Sequence, residues 1–127
     1  MSEPTRILIV DDDPQFREIV RLVLRRAPDF EFVGEAGDGQ AGVEAVERLR
    51  PDVVLLDLMM PVVDGFAALP MIRAAHPDAA VIILTALDAE EAAEGMLLGA
   101  AGFVEKRHIA DRLESLVRVC AEVRQNG

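Results

Sequence analysis

Two adjacent carboxylates, Asp11 and Asp12, follow the apolar run Ile7-Leu8-Ile9-Val10, and a third, Asp57, follows a second run, Val53-Val54-Leu55-Leu56. Continuous apolar runs of this length read as strands buried on both faces, as in a parallel sheet. Consecutive parallel strands point the same way, so the three acids emerge at one edge. That edge, outside the carboxyl ends of the strands, is where open α/β sheets bind ligands. Three carboxylates gathered there repel one another unless a cation sits between them. Mg²⁺ is the natural choice, because it takes oxygen ligands and commonly shares them with a phosphate. Residue type and spacing therefore point to phosphoryl chemistry.

The elements that position these acids follow from the hydrophobic period, which switches between strand and helix five times. The first strand is Arg6 to Val10. Asp13 caps a helix with Pro14 at its first position; Phe16, Ile19, Val20, Val23 and Leu24 form its apolar stripe, and Pro28-Asp29 ends it. Phe30 to Ala36 reads as an edge strand. Asp38 or Gly39 opens a second helix, with Ala41, Ala45, Val46 and Leu49 inward, and Pro51 stops it. Asp52 to Leu56 is the third strand. After the loop 58–65, a helix from about Gly65 to Ala75 contains Pro70, which in a helix interior costs roughly 3 kcal/mol. The expectation is a late helix start or a kink. Ala80 to Leu84 is the fourth strand, ending at Thr85. Asp88 and Glu91 cap a helix to Leu98, stopped by Gly99. Ala101 to Val104 is the fifth strand, and Ile109, Leu113, Leu116, Val117 and Cys120 line a last amphipathic helix. Five β-α units with short connections imply an α/β fold with a parallel sheet covered on both faces.

Composition narrows the function classes. A chain of 127 residues, 51% apolar, is one ordinary domain spanning 1–127. The net charge of −10 opposes binding of nucleic acid or anionic lipid. No apolar run reaches a membrane span, and no signal peptide is visible. The single cysteine, Cys120, fits a reducing cytoplasm and reads as a core residue. His76 and His108 have no ligand spacing and read as exposed. Twelve arginines stand against one lysine, Lys106, directly after the fifth strand.

The turns after strands one, three, four and five thus carry Asp11-Asp12, Asp57, Thr85 and Lys106. With Val10-Asp11-Asp12, Asp57-Leu58-Met59-Met60-Pro61-Val62-Val63-Asp64-Gly65, Thr85-Ala86 and Gly102-Phe103 followed by Lys106, the sequence resembles a response-regulator receiver domain of two-component signalling over nearly its whole length. The resemblance implies a flavodoxin-like (βα)5 fold with strand order 2-1-3-4-5. It implies that Asp57 is the phosphoacceptor, forming an aspartyl phosphate. Asp11, Asp12, Asp57 and the Met59 carbonyl would hold Mg²⁺, Lys106 would pair with a phosphoryl oxygen, and Thr85 would give its hydroxyl to another. Phe103 would be the aromatic that swings inward with Thr85, shifting the face formed by helix four, strand five and helix five. The implied partners are a histidine kinase or phosphotransfer protein, an output domain or partner protein, and a second copy of the chain in a phosphorylation-dependent homodimer. The segment Phe30 to Ala36 is similar to receivers that carry a C-terminal helix-turn-helix. The protein would be a cytoplasmic signalling switch rather than a metabolic enzyme.

Some positions depart from the family pattern. Arg107 replaces the proline that often follows the lysine, which puts the usual cis peptide in doubt. Phe103 stands where Tyr or His is common. Met59 and Leu87, two beyond the acceptor and two beyond the threonine, are both apolar, which implies slow self-dephosphorylation. A rival reading is a small nucleotide-binding α/β module, because Gly37-Asp38-Gly39-Gln40-Ala41-Gly42 matches the dinucleotide fingerprint after a strand. That reading leaves Asp11-Asp12 and Lys106 unexplained, and the glycines read instead as a turn and a close-packed helix start. A phosphatase using Asp57 as nucleophile wants a second acid two residues later, and Met59 is not one.

Overall fold

The computed structural model describes residues 3–60, 62–86 and 89–126. Strands β1 (Thr5–Val10), β2 (Phe30–Ala36), β3 (Val53–Asp57), β4 (Ala80–Thr85) and β5 (Gly102–Glu105) alternate with helices α1 (Pro14–Leu24), α2 (Gly39–Leu49), α3 (Gly65–Ala75), α4 (Ala89–Leu97) and α5 (Ile109–Asn126). One 3₁₀ turn, Lys106–His108, joins β5 to α5. The strands pair in parallel in the order β2-β1-β3-β4-β5, the order expected.

The apolar runs become the middle of this sheet because every residue in them is enclosed. Leu8, Val10, Val54, Leu56, Val81 and Ile83 face α2 and α3, while Ile7, Ile9, Val53, Leu55, Ile82 and Leu84 face α1 and α5. Successive side chains on a strand point to opposite faces, so two helical layers bury every position. The chain passes from β1 outward to β2, then returns to place β3 on the other side of β1. The crevice of a doubly wound sheet opens at this reversal, between the carboxyl ends of β1 and β3. Asp11 and Asp57 stand there.

Helix starts follow their caps. The Asp13, Asp38 and Asp64 side chains accept the N–H groups of Gln15, Ala41 and Ala67. Gly99, at φ +105°, ends the α4 turn as expected. The expected Asp88 cap and the residue Leu87 lie outside the described residues.

Three expectations need correction. Ile19 is 47% exposed, so the α1 stripe is narrower than its sequence spacing and rests on Phe16, Val20 and Leu24. Helix α3 does not start late: it runs from Gly65 through Pro70, which leaves the Phe66 carbonyl without its intrahelical donor. Because Pro70 is exposed, water can donate to that carbonyl in its place. His76 is buried, 6% exposed; it is the C-cap of α3, and its carbonyl accepts the Ala79 N–H at 3.1 Å in the turn that leads to β4. The Lys106–Arg107 peptide, which the sequence left open, is trans, since the described residues contain no cis peptide.

Val62 in the β3–α3 loop has φ +68° and is 85% exposed. A β-branched residue in the left-handed region is strained, and this one recovers little by packing. Val62→Asn should therefore stabilise the fold by about 1 kcal/mol, a rise in Tm of roughly 3 °C. Thermal unfolding followed by circular dichroism checks this, and an unchanged or lower Tm would count against strain at Val62.

Candidate functional site

Asp11 follows β1 directly and is fully buried. Its N–H donates to the Ala36 carbonyl at 2.9 Å, and its own carbonyl accepts from Arg17 Nη1 at 2.5 Å. Its Oδ1 accepts the Asp13 N–H at 2.8 Å. Oδ2 is buried and makes no contact with hydrogen-bond geometry, but Lys106 Nζ lies 2.8 Å away as an ion pair. One oxygen of Asp11 therefore builds the loop and the other faces the crevice. Asp12, next along, is exposed at the mouth.

Asp57 ends β3 and is buried with one edge toward the crevice. Its Oδ1 accepts the Met59 N–H at 3.2 Å, and its Oδ2 lies 3.5 Å from Lys106 Nζ. The loop after it closes tightly. The Gly65 N–H donates to the Leu58 carbonyl at 2.9 Å, and a Cβ at Gly65 would lie 2.2 Å from the Asp57 carbonyl oxygen. Only glycine lets α3 begin this close to the acid.

Carboxylate oxygens of Asp11, Asp12 and Asp57 lie within 4.8 Å of one another. This all-oxygen set fits a hard divalent cation such as Mg²⁺. Two further elements complete the rim. Thr85 ends β4, buried, one step beyond the Asp57–Leu84 pairing. Lys106 opens the 3₁₀ turn after β5, in register beyond Thr85–Glu105.

Electrostatics follow from this crowding. Burial and the neighbouring Asp11 charge push the Asp57 carboxyl up to about 6, although Lys106 and the Met59 N–H pull the other way. Burial works against the Lys106 charge, but its contact with Asp11 and the charges of Asp57 and Asp11 raise it above the usual lysine range. One lysine thus only partly offsets the carboxylates.

The structure brings Asp11, Asp12, Asp57, Thr85 and Lys106 together, and Met59 lies beside them through its backbone. Phe103, in β5, is 41% exposed and turned outward rather than packed in the core. Two residues at the site were not singled out from sequence. The Phe16 ring lies under Lys106, with Nζ 4.3 Å from its centroid. Arg17 joins the Asp11 carbonyl to Glu35 of β2, its Nε 2.9 Å from the Glu35 carboxylate. Their place in the first turn of α1, just after the acid pair, was the only available signal.

The glycine turn does not form a nucleotide cradle. The Gly39 N–H is spent on the Val63 carbonyl at 2.9 Å, and Asp38 takes the Ala41 N–H at 2.8 Å. A Cβ at Gly39 would lie 2.2 Å from the Val63 oxygen, and one at Gly42 would meet Val10 at 2.8 Å. These glycines serve close packing of α2, and the Gly39 and Ala41 N–H groups that a pyrophosphate would need are already taken.

Residues 7–118 match the family model described as response regulator receiver domain. The chain is 39% identical over 118 residues to the transcriptional regulatory protein DegU of Brevibacillus brevis, covering 92% of this chain and 50% of that one. It is also 39% identical to a protein-glutamate methylesterase/protein-glutamine glutaminase of Anaeromyxobacter dehalogenans, covering 97% of this chain and 35% of that one. The chain thus spans half or less of the length of these relatives. The response regulator domain of Thermotoga maritima CheB superposes with a TM-score of 0.87 at 28% identity, covering 94% of this chain and 98% of that one.

A carboxyl held above its unfolded range, here 3.8 raised to about 6, binds its proton more tightly in the folded protein. Its contribution to stability is full below pH 3.8 and is lost as pH rises through about 6. In metal-free buffer, Asp57→Asn should match the native protein near pH 4 and exceed it by up to about 3 kcal/mol at pH 7. Urea unfolding at both pH values reads this difference, and parallel stability at the two would contradict it.

Proposed function

The chain belongs to the response-regulator receiver domain family, the phosphorylation-activated switches of two-component signalling, and on that premise we propose that Asp57 is its phosphoacceptor. The observation that carries this reading is Lys106 Nζ lying between Asp11 at 2.8 Å and Asp57 at 3.5 Å, in a crevice where three carboxylates converge. That is a seat for a phosphoryl group beside a nucleophile.

In the proposed reaction an Asp57 oxygen attacks phosphorus in line. The bond from phosphorus to the donor, a phosphohistidine nitrogen of a histidine kinase or phosphotransfer protein, breaks, and that nitrogen leaves with the electron pair. The product is an acyl phosphate on Asp57. Asp11, Asp12, Asp57 and the Met59 carbonyl would hold Mg²⁺, which when bound offsets charge on the transferring oxygens. Lys106 leaves its carboxylate partners to meet one phosphoryl oxygen, and the Thr85 hydroxyl meets another. As Thr85 is drawn toward the phosphate, space opens beneath it for Phe103 to turn inward. That changes the surface of α4, β5 and α5, the output face, for an output domain, a partner protein or a second copy of the chain.

Residues 1–127 would form this one domain, acting in the cytoplasm and leaving any DNA contact to another domain. Among the described residues no helix is long and apolar enough to cross a membrane.

Incubation with Mg²⁺ and acetyl phosphate, read by intact mass, should add one phosphoryl group to the native protein. EDTA or Asp57→Ala should abolish it. An adduct that survives in Asp57→Ala would move the acceptor elsewhere.

Met59, two residues beyond Asp57, is 57% exposed, so the side chain that meets solvent next to the acceptor is apolar and offers water no hydrogen bond. We propose slow self-dephosphorylation on this ground; the other position implied, Leu87, lies outside the described residues. Met59→Asn should shorten the phosphoryl lifetime several-fold in a mass-resolved decay, because a polar side chain can orient the attacking water. An unchanged lifetime would remove Met59 from this role.

A further inference from the structure

We propose that Phe16 is a positioning residue for phosphoryl transfer: its ring face holds the Lys106 ammonium in the crevice, 4.3 Å from the ring centroid. This rests on the reading of Lys106 as the phosphate-binding cation. A lysine side chain has four rotatable carbons and much rotamer freedom to lose. In the structure its charge lies against Asp11 and Asp57 and over the face of the ring. The two carboxylates are also the proposed cation ligands. Once a divalent cation occupies them, their pull on Lys106 is largely cancelled. The ring carries no charge, competes with neither cation nor phosphate, and keeps its attraction for the ammonium throughout.

Phe16 is well placed for this task. It sits in the first turn of α1, 9% exposed, in the core cluster with Val20, Val104 and Ile109. The turn itself is fastened to the acid loop twice, by the Asp13 cap and by Arg17 on the Asp11 carbonyl. The ring therefore cannot drift from the carboxylates, and it transmits their position to a lysine arriving from β5.

A core aromatic with no part in the reaction would look similar at rest, so the test must separate the two. Lys106 is the only lysine in the chain, so uniformly labelled lysine gives one assignable spin system. Its ε-protons should resonate upfield from ring-current shielding, and Phe16→Leu should return them toward the free-lysine position. In Mg²⁺ and acetyl phosphate, Phe16→Leu should slow phosphorylation of Asp57 about fivefold, the size of a partly buried cation–π contact. Phe16→Tyr, which keeps the ring, should stay within about twofold of native. In a Lys106→Ala background, itself expected to lose about tenfold or more, Phe16→Leu should have no further effect.

A Phe16→Leu rate near native, or a loss that persists without Lys106, overturns the positioning role while leaving Lys106 in place. A folded Phe16→Tyr protein as slow as Phe16→Leu overturns it equally. If Lys106→Ala alone keeps the native rate, the reading of Lys106 itself has failed, and the role of Phe16 falls with it.

Discussion

Repulsion among carboxylates at the end of a buried sheet is the constraint on which this structure depends. Asp11, Asp12 and Asp57 bring oxygens within 4.8 Å of one another, two of them on side chains shielded from water. Like charges in such a place are costly, and one lysine offsets them only in part, leaving the Asp57 carboxyl raised to about 6. A fold that only had to be stable would not keep this arrangement. The surrounding elements hold it open instead. The paired runs of β1 and β3 fix the two buried acids side by side, Gly65 lets the loop close over Asp57, and the turn after β5 delivers the single lysine.

The same constraint couples the site to the surface. The groups that would follow a phosphoryl group, Thr85 and Lys106, end or follow the adjacent strands β4 and β5. Phe103 lies on β5 three residues before the lysine and is turned outward. A change in where the crevice holds its positive charge would thus be felt first at β4 and β5, beside the proposed output face, not by β2 at the opposite edge. Arg17 and Glu35 instead tie β2 and α1 to the acid loop.

Much of this was legible in the sequence, because buried parallel strands write themselves as unbroken apolar runs and the acids stand at their ends. Strand order and the grouping of Asp11, Asp12, Asp57, Thr85 and Lys106 followed from those positions and from the family resemblance. What escaped was tertiary. Phe16 reads as an ordinary member of a helical stripe, and nothing local reveals that a lysine ninety residues away lies over its ring. His76 reads as an isolated surface histidine, yet at the C-cap of α3 it is buried. Ile19 has the spacing of a core residue, but helix α1 meets the sheet along a narrower line than its apolar pattern allows. Pro70 looked incompatible with an early helix start because the sequence does not show that the freed carbonyl can be hydrated.

The central claim is that this acidic crevice is a divalent-cation site kept open by design of the fold. Its most direct test is the Mg²⁺ dependence of thermal unfolding at neutral pH, with Asp12→Asn beside the native chain. A ligand that binds only the folded state raises stability by RT ln(1 + [L]/Kd). The account predicts a Tm that climbs with Mg²⁺ in the native protein and stays nearly flat in Asp12→Asn. Equal, shallow responses in both proteins would mean that the carboxylates converge without binding the cation, and would contradict it.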